Sequence, residues 1–203
     1  MKSDREYRAF QVNAQDDEKR VTGYATTFDE PYTLYSDGDY EVREVIDPGA
    51  FDNCDMSDVV MVVDHARDVG SVLARSRNGE GTLEISVDDV GVAFRFKSPD
   101  TTKGRDIVAL VERGDISECS FAFWVESDRW LYDVAFGEKK YDVRRIESIA
   151  KLADLSIVVS GQYGQTSVSI EERKAVAEAR KEGKRSPYRG YHSEVTERIL
   201  KIL

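Results

Sequence analysis

Over much of the first two thirds of the chain, apolar and polar positions alternate with a period of two, the pattern of strands with one covered face. Tyr7 to Val12, Val21 to Phe28 and Tyr40 to Ile46 carry β-branched and aromatic residues in partial alternation, bounded by Asp, Gly and Pro clusters. Within Asp55 to Asp64 the run VVMVV is apolar on both faces, which predicts a central strand covered on both sides. Leu83 to Val87 and Val92 to Phe96 read as short strands split by a turn over Asp88 to Gly91. The period then becomes helical: Ile107, Leu110 and Val111 form an i, i+3, i+4 stripe, with caps offered by Asp100, Thr101 and Thr102 and a stop at Gly114. Strands resume over Ile116 to Glu126 and Ala153 to Val159. Strands so closely spaced predict a mainly β domain, a barrel or sandwich with flanking helices.

From Ser169 the pattern changes. Ser169 and Glu172 form a capping box, which predicts a helix to about Glu182, ahead of Gly183. Lys184 to His192 is turn-rich and basic, and Ser193 to Leu203 is a short amphipathic helix. The expected division is a β-domain over 1–168 and a helical appendage over 169–203.

Composition narrows the function classes. Hydrophobic residues are 40% and charged residues 33% of the 203, ordinary for a globular protein. The net charge of −10 argues against a basic nucleic-acid-binding module. No apolar run approaches a membrane span, and MKSDREYRAF is charged from its start, so neither an anchor nor a signal peptide is expected. The two cysteines, Cys54 and Cys119, make no zinc spacing and no disulfide framework, consistent with a reducing setting. Glu44 and Asp47 near Pro48-Gly49 read as a turn rather than a metal site, since no His or Cys completes a ligand set. Asp37 to Glu44 reads as a solvated loop running into its strand, and Arg180 to Arg189 as a basic connector.

Candidate bases are few. Of the two histidines, His192 lies in the basic connector, whereas His65 follows the VVMVV strand at the edge of the core. In GDISECSFAFWV, alternation puts Cys119, Phe121, Phe123 and Val125 on a core face and Ser120 with Ala122 on the other. Cys119, the rival nucleophile, thus reads as an inert buried thiol. Residue types alone leave His65 and Ser120 open to a merely structural reading.

Five short motifs in order change that balance. They are Gly23, Ala25 and Phe28; Glu44, Val45, Ile46, Pro48, Gly49, Ala50 and Phe51; His65 with Gly70; Gly114, Ser120 and Phe121; and Leu152, Asp154, Leu155, Ser156, Ile157 and Val158. Over roughly Val21 to Thr166 the chain resembles the caudovirus prohead protease family, distantly similar in fold to the herpesvirus assemblins. The resemblance implies a herpesvirus-protease-like β-barrel and a serine endopeptidase with Ser120 as nucleophile and His65 as base. By family position Asp154 orients the base, with Glu147 as runner-up; Asp64, beside the histidine, should point to the other strand face. The turn Ser160 to Gly164 departs from the family's proline-rich one, and backbone N–H groups around Gly161 to Gln165 are candidates for the oxyanion hole. Implied partners are scaffold or capsid-protein segments and the enzyme's own tail as substrates, inside the assembling prohead in the host cytoplasm, with a possible homodimer. No metal, cofactor, nucleic acid or membrane is implied. The rival reading is a non-catalytic capsid-assembly or scaffold-interaction protein on the same fold.

Overall fold

A computed structural model of the chain describes residues 6–15, 19–36, 40–66, 68–136 and 139–159. The helices expected over 169–182 and 193–203, the appendage as a whole, His192 and the Gly161 to Gln165 turn lie outside the described residues.

Strands dominate. In chain order they are β1 (Glu6–Gln15), β2 (Arg20–Thr27), β3 (Tyr32–Ser36), β4 (Tyr40–Ile46), β5 (Asp58–Val63), β6 (Val72–Arg77), β7 (Glu80–Gly81), β8 (Leu83–Val87) and β9 (Gly91–Lys97). Helix α1 (Thr102–Glu112) follows, then β10 (Glu118–Phe136) and β11 (Lys139–Val158). Thr101 caps α1, its hydroxyl accepting the Gly104 N–H, and Gly114 ends it at a positive φ of 78°. Ile107, Val108 and Val111 form its buried face, and α1 packs on β1. Among the described residues no helix is long and apolar enough to cross a membrane.

The strands form one sheet in the order β7-β6-β5-β11-β10-β1-β2-β9-β8, with β4 also pairing β11 and β3 pairing β4. β10 and β11, of 19 and 20 residues, are far longer than the usual strand of about 5–6. β11 organises the sheet: it runs antiparallel to β10 and parallel to both β4 and β5. β5 is the interior strand that VVMVV predicts, with Val59, Met61 and Val62 buried between β6 and β11.

The expected closed barrel does not form. The ends of the hydrogen-bonded path, β7 and β8, do not pair with each other. The chain turns a corner at Gly81, where a φ of +134° and a carbonyl 2.3 Å from any added Cβ (that of Arg75) admit only glycine. Thr82 N–H then bonds the Arg75 carbonyl, and the chain passes straight into β8 without a ladder between the two ends. The main apolar core, drawn from both ends of the strand path, has Phe94, Phe96, Phe121, Phe123, Leu152 and Leu155 among its members. A second, smaller cluster of Val45, Val134, Tyr141 and Val143 lies where β4 meets the outer part of β10 and β11.

Candidate active site

Strand register assembles the candidate residues. Ser120 on β10 stands opposite Ser156 on β11, Phe121 opposite Leu155, and Ala122 opposite Asp154. Cross-strand partners share a face, so Cys119, Phe121, Leu155 and Ile157 form the core side, all fully buried. Ser120, Ala122, Asp154 and Ser156 share the other side. On it Ser156 is the direct cross-strand neighbour of Ser120 and Asp154 its diagonal neighbour, positions that in antiparallel pairs lie about 5 Å and about 7–8 Å away. This second face is also covered: Ser120 is 5% and Asp154 3% exposed, so the side that alternation marks as the open one is buried too. The small Ala122, two residues along the same strand, limits crowding around the hydroxyl.

His65 reaches this face through a tight turn. After Val63 both Asp64 and His65 adopt left-handed backbone, with φ of 51° and 52°. For L-residues with a Cβ such geometry costs about 1–2 kcal/mol each, and it persists only where neighbours enforce it. Three bonds from β11 do so. Asp64 N–H donates to the Ile157 carbonyl at 3.0 Å, His65 N–H to Ser156 Oγ at 2.8 Å, and the imidazole Nδ1 lies 2.7 Å from Asp154 Oδ1. The turn thus brings the ring to Asp154, a residue of the strand face that Ser120 shares. Asp64 belongs to this turn rather than to a strand face, and it is exposed.

Electrostatics fixes the protonation state. Burial pushes the imidazole down from its ordinary value near 6.5 to about 4, so the ring is neutral at pH 7. The Asp154 contact is then a hydrogen bond from a neutral Nδ1–H to a carboxylate oxygen, which leaves Nε2 with its lone pair. A neutral ring held in one tautomer by a buried carboxylate is equipped to accept a proton from a hydroxyl.

The other candidates lie elsewhere. Glu147 pairs with Arg129 rather than with the histidine. Cys119 is fully buried, its Sγ donating to the Tyr24 carbonyl at 3.3 Å, and burial raises the Cys54 thiol to about 11. Glu44, read from sequence as the end of a solvated loop, is fully buried and bonds Arg144 and Tyr32. Asp47 opens the expected turn and pairs with Arg145. Among the described residues no group of three or more His, Cys, Asp or Glu side chains is placed to hold a metal ion. Sequence reasoning counted Ser156 in a motif but gave it no task, and it missed the left-handed turn, since nothing in the pair Asp64-His65 signals that backbone.

A family model for the caudovirus prohead serine proteases matches residues 8–181, a span that includes every residue of this site. Neither the curated proteins nor the solved structures give a match.

Proposed function

The chain belongs to the caudovirus prohead serine protease family, whose members act in phage capsid maturation, and from that membership we propose that Ser120 is its nucleophile, His65 the general base and Asp154 the group that orients the base. The observation that carries the reading is the 2.7 Å bond from a neutral, half-buried imidazole to Asp154, a residue of the strand face that Ser120 shares.

In this mechanism Nε2 of His65 takes the Ser120 proton as Oγ attacks the scissile carbonyl. The imidazolium, stabilised by the Asp154 carboxylate, returns that proton to the leaving amine, and a water activated by the same ring then hydrolyses the acyl-enzyme. The substrates in this reading are scaffold segments of the capsid protein and the enzyme's own tail, cut inside the prohead as it assembles in the host cytoplasm. The reading extends to an assemblin-like fold and to residues 169–203 as a helical appendage, separate from the β-domain over 1–168, that docks on a partner or second copy.

A fluorophosphonate probe that reacts with activated serines tests the assignment. It should label the wild-type chain and leave Ser120→Ala and His65→Ala unlabelled, and both variants should lose scaffold cleavage by at least about 10⁴-fold. A Ser120→Ala protein that still cleaves would end this reading. Cys119→Ala dead but folded would move the nucleophile to the thiol.

A further inference from the structure

Ser156 stands directly opposite Ser120 and is fully buried, and its hydroxyl is bonded to the chain at the end of β5. It accepts the His65 N–H at 2.8 Å and directs its own proton to the Val62 carbonyl at 3.3 Å. Both partners belong to the segment that ends β5 and throws the chain into the left-handed turn. One hydroxyl therefore joins the last residues of β5 to the backbone of the histidine, two residues along β11 from the carboxylate that holds the ring.

We propose that Ser156 is a positioning residue of the hydrolytic site: its Oγ fixes the His65 backbone in the left-handed turn and so sets the imidazole between Asp154 and Ser120. Asp154 by itself constrains only one ring atom, around which the ring can pivot. The His65 N–H bond to Ser156 Oγ supplies a second fixed point, on the backbone of the same residue. Without Oγ the amide loses its acceptor at a half-buried strand end. The turn then relaxes toward ordinary backbone, carrying the ring away from the serine. A displacement of about 1 Å at a proton-transferring group costs on the order of 100-fold in rate, while substrate binding elsewhere is unaffected.

The proposal rests on the Ser120–His65–Asp154 reading, and its test separates the two. In the full-length protein Ser156→Ala should lower kcat for scaffold cleavage about 100-fold with KM changed by less than about twofold. Ser156→Thr, which keeps the hydroxyl, should recover most of the loss. In a Ser120→Ala background, where no cleavage complicates the measurement, NMR titration should show the His65 ring moving from its depressed value toward an ordinary one when Ser156 becomes Ala. An unchanged kcat in Ser156→Ala, an equal loss in Ser156→Thr, or an unmoved His65 titration would overturn the proposal. So would a Ser156→Ala chain that fails to fold, which would make the residue a core determinant. Persistent cleavage by Ser120→Ala alone would instead bring down the nucleophile assignment, because the ring titration does not depend on cleavage.

Discussion

At the outer part of the β10–β11 pair Glu44 is fully buried against the Arg144 guanidinium at 3.2 Å, and Arg144 Nε also bonds Asp128. Beside it Arg145 reaches Asp29 at 2.7 Å and Asp47, Arg129 pairs with Glu147, and Arg43 lies 4.0 Å over the Tyr141 ring. At the other end of the same two strands Asp154, nearly as deeply buried, bonds an imidazole that is neutral at pH 7. Both regions bury carboxylates, but only the second gives one a partner whose protonation can change near neutrality. Guanidinium is charged at every physiological pH, so the outer pairs are fixed and serve the geometry of the fold. Imidazole can gain a proton during a reaction and lose it again, so the inner pair can do chemistry. The partner of a buried carboxylate, more than its depth, separates the two roles.

The contrast is sharpest at Asp154. Asp154→Asn should leave the fold intact but favour the wrong ring tautomer, lowering kcat by on the order of 10⁴-fold. Cleavage assays beside circular dichroism would show it, and a loss under tenfold would remove Asp154 from the site. In the outer region the expected loss is of stability. Glu44→Ala leaves a buried guanidinium with one partner fewer and should cost about 3 kcal/mol, a fall in Tm of roughly 6–12 °C, with cleavage per folded molecule unchanged. Calorimetry and active-site titration separate those quantities; lost cleavage at unchanged Tm would give the outer region a functional part. On the core face Cys119→Ala should cost about 2 kcal/mol by cavity formation and leave activity intact.

The last effect is on pH dependence. The His65 ring binds its proton at about 4 when folded and near 6.5 when unfolded. Between those values the unfolded chain holds more protons, so stability rises with pH across that window and is flat above it. Urea melts from pH 4 to 7 should show this slope, reduced in His65→Gln. Cleavage should persist into mild acid and fall only as the pH approaches the depressed value; a midpoint at 6.5 or above would mean the ring is not held as described.

Most of the inner strands were legible because a core on at least one side sets their apolar pattern: β2, β8 and β9 fall where alternation puts them, and β5 where the continuous apolar run does. The Asp88 turn was legible from its chemistry, since its carboxylate accepts the Val90 and Gly91 N–H groups. The middle of β10 and β11 was not. There Asp128, Arg129, Arg144 and Arg145 are strand residues that bury by pairing with opposite charges, so no apolar period marks them. β3 and β6 went unread for a related reason, their runs YTLYS and VLARSR being too mixed to alternate. Barrel closure failed at Gly81, a corner that strand spacing does not reveal. At the site, His65, Ser120 and Asp154 came from motif order and resemblance. Ser156 and the left-handed turn depend on contacts between distant segments and leave no local trace.

The 89-residue separation between His65 and Asp154 governs when the site can exist. β5 has no parallel partner until β11 is available, and closing so large a loop is entropically costly and slow. During synthesis the histidine emerges early, with neither its carboxylate nor the Ser156 hydroxyl to hold it. Docking of β11 supplies both in one step and at the same time completes the pairing of β4, β5 and β10. Formation of the His65–Asp154 pair and completion of the β11 pairings therefore coincide, and a chain whose β11 has not docked lacks that pair.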